Sequence, residues 1–207
     1  MTLSNGIRSE RVIVGVTGGI GAGKTSACKV FADCGAYVIN SDLVYKRLAL
    51  CSRKMKNEIL DFFGADVFDS RFNIVGSRLA NLVFSDSAKL EALNRITHKY
   101  VFRHIEKTVS LCGSRFIFIE SAILFDCGLD NMCRFTVMLI SDDELRAERA
   151  AVRQGISVDE VKRRMQSQRF YEFIDRADFV IVNDGSVSEL GRKVRNVYDN
   201  IVSVCGF

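Results

Sequence analysis

The chain has 207 residues, 48% of them hydrophobic, enough to bury a sizeable core in one domain with room for a small appended subdomain. Its net charge of +4, without a long basic stripe, suits an anionic small molecule and argues against nucleic acid as a partner. No apolar run is long enough to span a membrane, and residues 1–11 are polar with no apolar signal core, so a cytoplasmic protein with no membrane partner is expected.

The first element in chain order is a β-branched run, Val12-Ile13-Val14-Gly15-Val16, which reads as a buried strand. After Thr17 comes Gly18-Gly19-Ile20-Gly21-Ala22-Gly23-Lys24-Thr25-Ser26, a full match to the phosphate-loop pattern. The glycines let backbone N–H groups turn inward around a phosphate. Lys24 can reach the outer phosphates of a nucleotide, and the Thr25 hydroxyl can hold a magnesium ion. A helical pattern follows at Ala27, Val30 and Phe31, with its positive end toward the same place. A nucleoside triphosphate is therefore the expected ligand, against the alternative of a glycine-rich turn that fits by chance.

Tyr37-Val38-Ile39 is a second strand and closes one βαβ unit, so the two strands should be parallel. Residues 43–112 then read as a helical insertion, with Leu48, Cys51, Met55, Ile59 and Phe62 at helical spacing and a break at Gly64 and residues 66–76. Further strands are expected at Phe116-Ile117-Phe118-Ile119, at residues 136–140 and at Phe179-Val180-Ile181-Val182, each an apolar run suited to cover on both faces. Capping boxes are expected at Ser141 with Glu144, Ser157 with Glu160 and Ser186 with Glu189, and Gly155 reads as a C-cap. These elements predict an α/β three-layer sandwich with a parallel five-stranded sheet. Its core would be residues 11–42 and 113–207, carrying the insertion at the strand ends where ligands bind.

Asp42 follows the second strand. A carboxylate there could orient an acceptor hydroxyl and take its proton; an N-cap or Asx-turn residue is the alternative. Glu120 ends the third strand, placed either to serve a magnesium ion or to pair with an arginine. Residues 146–176 are basic, with Arg146, Arg149, Arg153, Lys162, Arg163, Arg164, Arg169 and Arg176. Arg149 and Arg153 share a helix face and could clamp a transferring phosphate as part of a lid; Lys162, Arg163 and Arg176 read as a solvated face. Asn183-Asp184-Gly185 could read an adenine edge or simply turn the chain, and His98 could serve a ligand or a helix cap or core. The seven cysteines form no CxxC pair and read as reduced, core-filling thiols, and two histidines are too few for a His–Cys zinc site.

Taken in order, these motifs resemble the dephospho-CoA kinase family over nearly the whole chain. The segments that carry the likeness are GVTGGIGAGKTS, VINSD, Arg78-Leu79-Ala80 with Val83-Phe84-Ser85-Asp86, LNRITH ending at His98, ESAILFD beginning at Glu120, Arg149 with Arg153, Arg164-Met165-Gln166-Ser167-Gln168, and ADFVIVN with Gly185. The resemblance implies a P-loop kinase fold, ATP with Mg2+ as cofactors, and transfer to the ribose 3′-hydroxyl of dephospho-CoA. It implies Asp42 as general base, with Lys24, Arg149 and Arg153 on the transferring group. It places ATP on residues 18–26 with Asn183 and Gly185, magnesium at Thr25, Asp42 and Glu120, and the acceptor at Arg78, His98, Arg103, Leu124 and Phe125. The enzyme would act as a monomer or weak homo-oligomer. A nucleoside monophosphate or shikimate kinase of the same fold, or a non-catalytic nucleotide-binding paralogue, are the rival readings. Asn40 stands where the family has an acid, and Ser87, Lys99 and Ala122 where it usually has proline, a residue this chain lacks altogether.

Overall fold

The computed structural model describes residues 11–84, 86–166, 168 and 170–207. Ser85, Ser167, Arg169 and the polar stretch up to residue 10 lie outside them. Five strands form one sheet: β1 (Val12–Gly18), β2 (Tyr37–Asn40), β3 (Phe116–Glu120), β4 (Phe135–Ile140) and β5 (Phe179–Val182), in the order β2-β3-β1-β4-β5. β1 runs parallel to β3 on one side and to β4 on the other, with Val14 paired to Phe118 and to Phe135. β4 runs parallel to β5. β1 is therefore central, and the chain leaves its carboxyl end where the strand order reverses, the crevice in which open α/β sheets bind ligands.

The apolar runs behave as expected in the middle of the sheet. β3 is buried at every position. One face of the sheet packs Val12, Val14, Val16, Phe118 and Val137 under α1 (Lys24–Asp33) and α8 (Val187–Val204), with Phe31 stacked on Phe118 at 4.2 Å between ring centres. On the other face Met138 and Phe125 pack with Phe173 and Ile174 of the 3-10 turn Phe170–Arg176. Tyr37, Val180 and Val182 are exposed, because β2 and β5 are the sheet's edges and only one neighbour covers each.

Two compact units divide the chain: Met1–Ile39 with Gly113–Phe207, and Asn40–Cys112. The second holds α2 (Ser41–Cys51), α3 (Arg53–Phe63), α4 (Gly76–Phe84) and α5 (Ser87–Leu111) around Met55, Ile59, Val67, Leu79, Val83 and Ile96. The periodicity from Leu48 to Phe62 does not belong to one helix. Ser52 breaks it, its side chain accepting the Met55 N–H and starting α3, so Cys51 and Phe62 end up exposed while Met55 and Ile59 are core. Lys56 is buried in this unit, donating to the Phe72 carbonyl at 2.9 Å beneath the Phe72 ring. α5 runs unbroken through Lys99, whose ammonium instead pairs with Glu58 at 2.7 Å. Ser87 opens α5 just after the Asp86 cap, at the first helical position, where proline is well tolerated.

In the core unit, α6 (Asp143–Gln154) and α7 (Val158–Gln166) connect β4 to β5. Ser186 with Glu189 forms the expected capping box of α8, and Gly155 ends α6 in the left-handed conformation at φ 66°. Two expectations need correction. α6 is capped by Asp142, which takes the Glu144 and Leu145 N–H groups, because the Ser141 hydroxyl is turned to the Asn183 carbonyl. Ser157 does accept the Glu160 N–H, but the Glu160 carboxylate bonds Arg164 rather than returning to the cap. The cysteines are not uniformly core-filling either. None forms a disulfide, but only Cys28 is buried, and Cys51 is exposed.

Candidate active site

The site is built where β1 becomes α1. The loop between them closes on itself through the Ala22 N–H to the Gly19 carbonyl, and Gly23 enters the helix at φ 97°. Two glycines are required for close approach as well as for dihedral angle. A Cβ on Gly21 would collide with the Arg146 backbone carbonyl, and one on Gly23 with the Asn183 amide. Lys24 folds over the loop, its ammonium donating to the Gly18 carbonyl at 2.7 Å and the Gly19 carbonyl at 3.0 Å. The Thr25 hydroxyl donates to Glu120 Oε1 at 2.6 Å. β1–β3 pairing sets this contact, since Val16 and Glu120 are register partners. Glu120 is thus buried at the strand end beside the first turn of α1. Ser26 is exposed on that turn, and Cys28 lies behind it with its thiol pushed up in pKa by burial, a packing residue and not a nucleophile.

A hydroxyl and a carboxylate in contact are a hard, all-oxygen donor pair. They suit a magnesium ion that keeps most of its waters and takes further oxygens from phosphates. Among the described residues no group of three or more His, Cys, Asp or Glu could hold a metal ion.

The loop is held from the far side by residues of the basic segment. Arg146, one of the charges of that segment, is 1% exposed. Its Nε donates to the Ile20 carbonyl at 2.9 Å, and one terminal nitrogen pairs with Asp143 at 2.6 Å. The Ile20 N–H donates to Gln168 Oε1 at 2.8 Å. Sequence reasoning gave neither residue a role. The signal was there: Arg146 lies four residues before Ala150 and next to Ala147, on the face of α6 that the buried alanines mark as inward.

The remaining expected residues separate. Arg149 does not stand free over the loop: it donates to the carbonyls of Asn183 at 2.7 Å and Gly185 at 3.2 Å. Arg153 is exposed in the last turn of α6. Asn183 is buried, and its amide donates to the Ala22 carbonyl at 2.9 Å, tying the end of β5 to the phosphate loop rather than offering that group to a base. Gly185 is exposed, and a hydrogen bond from the Asp142 N–H holds neighbouring Asp184 below the usual carboxylate range. Leu124 is fully buried, its methyls filling the space beside Gly15, so it is core and not a surface for an acceptor. Phe125 is buried against Phe173, with Arg176 over its ring and paired to Asp130.

In the Asn40–Cys112 unit, Asn40 is the N-cap of α2, its side chain accepting the Leu43 N–H at 2.9 Å. This settles one alternative: Asp42 is not a cap but an exposed residue of the first turn. Arg78 donates to the carbonyls of Asp66 and Phe68 and lines an open cavity of about 470 Å³ with Asp66, Asn81 and Leu82. His98 lies mid-helix in α5, half-buried and stacked near Phe102, and burial lowers its pKa, keeping the ring neutral. It caps nothing. Arg103 is exposed one turn further along.

A central strand running into a phosphate loop, with an acidic residue at the end of its neighbour in contact with the loop's threonine, defines a P-loop kinase of the small-molecule type. Shikimate kinase from Acinetobacter baumannii shares the fold, with a TM-score of 0.56 at 12% identity over 93% of this chain and 94% of its own. Within that class the chain belongs to the dephospho-CoA kinase family, whose model matches residues 12–189. It is 35% identical to the dephospho-CoA kinase of Chlorobaculum tepidum over 93% of this chain and 96% of that one. A crystal structure from Thermus thermophilus superposes with a TM-score of 0.79 at 29% identity, covering 92% of this chain and 98% of its own.

Proposed function

We propose that the chain uses ATP and Mg2+ to phosphorylate the ribose 3′-hydroxyl of dephospho-CoA, giving coenzyme A and ADP. Family membership supports the reaction, and the Thr25–Glu120 contact at 2.6 Å beside Lys24 is the observation that carries it. Thr25 and Glu120 would hold the magnesium ion, which when bound neutralises charge on the phosphoryl group in transfer. The loop of residues 18–26 holds the ATP phosphates, and Lys24 exchanges its loop carbonyls for them. Asp42, exposed at the start of α2, orients the acceptor hydroxyl and takes its proton. Arg153 adds positive charge. Arg149 reaches the transferring group only by giving up the 183–185 turn, so its engagement is linked to how that turn holds the base. The exposed guanidinium groups of Arg78 and Arg103 suit the anionic acceptor, and closure of residues 146–176 over ATP keeps water from competing as acceptor.

No described helix is long and apolar enough to cross a membrane. In this reading the enzyme works in the cytoplasm as a monomer or weak homo-oligomer. The test is ADP release by the purified protein with ATP and Mg2+, comparing dephospho-CoA, AMP, shikimate and no acceptor. Turnover with dephospho-CoA alone, with a product of the mass of coenzyme A, is expected. Turnover on AMP or shikimate instead would reassign the acceptor, and ATP binding without turnover on any of them would make the chain a nucleotide-binding paralogue.

A further inference from the structure

Both peptide groups of Ile20 are taken by side chains from beyond the phosphate loop. The carbonyl accepts from Arg146 Nε at 2.9 Å, and the N–H donates to Gln168 Oε1 at 2.8 Å. The two side chains also meet each other, Arg146 donating to the same Gln168 oxygen at 3.5 Å. The Arg146 guanidinium is fixed further by Asp143 at 2.6 Å and by the Tyr171 hydroxyl at 3.2 Å, itself donating to Asp143 at 2.8 Å. The backbone of Arg146 abuts Gly21. A loop this rich in glycine carries a large conformational entropy, and its phosphate-binding shape must be held from outside. Arg146 cannot itself serve a phosphate: its side chain is 1% exposed and its nitrogens are committed to this network.

We propose that Arg146 and Gln168 are a positioning pair that sets the shape of the phosphate loop by clamping Ile20, and so make ATP affinity depend on the 146–176 segment. Arg146 acts through the loop and is not a catalytic residue. The inference deepens the kinase reading above and rests on it for the choice of acceptor.

The experiment compares wild type with Arg146→Met, Arg146→Lys and Gln168→Leu. ATP affinity is measured by calorimetry without acceptor, steady-state kinetics with both substrates varied, and melting temperature as a check of folding. A lost hydrogen bond involving a charged donor or a buried acceptor should weaken ATP binding about tenfold in Arg146→Met and Gln168→Leu. KM for ATP should rise in step, and KM for dephospho-CoA should not move. Arg146→Lys keeps the charge but not the directed fork, so it should recover only part of the loss. If Arg146→Met does not fold, Gln168→Leu, a half-buried site, carries the test alone. The proposal is overturned if the variants melt lower but bind ATP like wild type, or if the acceptor KM rises as much as that of ATP. A wild type that binds ATP but ignores dephospho-CoA would end the choice of acceptor, and ATP affinity would still decide the clamp.

Discussion

The two units of the chain treat their polar groups in opposite ways. Around the phosphate loop, nearly every candidate group is already held: Lys24 by two carbonyls, Thr25 by Glu120, Asn183 by Ala22, Arg149 by the 183–185 turn. In the Asn40–Cys112 unit, Asp42 and Arg103 are exposed, Arg78 borrows two backbone carbonyls, and the buried charge among the described residues is Lys56, which donates to a carbonyl of the unit's own core. On the proposed function, the lesson is that a nucleotide common to many enzymes is met by a prebuilt cradle, because fixed dipoles stabilise phosphoryl transfer best when they need no reorganisation. In the proposed reading the acceptor, particular to this enzyme, is left to exposed side chains.

The largest effect expected from breaking this contrast is Asp42→Asn. With Asp42 as the proposed general base, its loss should slow transfer about 10³-fold with ATP affinity retained, and an unchanged kcat would end the assignment. Next comes Glu120→Gln on the prebuilt side. It leaves the Thr25 hydroxyl an acceptor but removes the charge, so kcat should fall on the order of 10²-fold and more magnesium should be needed for half-maximal rate. A rate independent of magnesium concentration in both proteins would count against the metal assignment. Asn40→Ala is smaller: losing an N-cap costs about 1 kcal/mol, read in a denaturant melt. If kcat drops beyond that loss, the cap also aims Asp42. The least effect is Glu58→Gln, whose partners Lys99 and Tyr100 lie on α5. The hydrogen bond from Lys99, then that from Tyr100, hold the Glu58 carboxyl below its ordinary range. A depressed folded-state pKa stabilises above the unfolded value and is lost as pH falls through the folded one. The variant should therefore melt slightly lower at neutral pH, by under about 1 kcal/mol for so exposed a pair, and match wild type in strong acid.

Where the sequence could be read, one interaction dominated. Buried strands are apolar because helices cover them, and the loop's glycines at residues 21 and 23 are dictated by close backbone approach and positive φ, so the strands and the loop were legible. What was not legible turned on choices between equivalent partners. Asp142 and Ser141 are both good caps, and only the Asn183 carbonyl decides which is used. Arg146 looks like any arginine in a basic segment until the carbonyl it serves, 126 positions earlier in the chain, is in place. Asn183 fits a turn, a base or a loop tie equally well from its type alone. Ser52 interrupts a periodic run that gave no other sign of a break.

The place of the helical unit within the chain also orders its assembly. β1 cannot complete its pairing until β3 and β4 have been made, since Val12 waits for Phe116 and Val14 for Phe135. Residues 40–112 close through helices and neighbours near in sequence, and contacts of that kind form early while distant strand pairings form late. With no proline in the chain, no slow isomerisation masks the sequence of events. Pulsed hydrogen exchange should show α5 amides protected before those of β1; simultaneous protection would mean the unit is nucleated by the sheet.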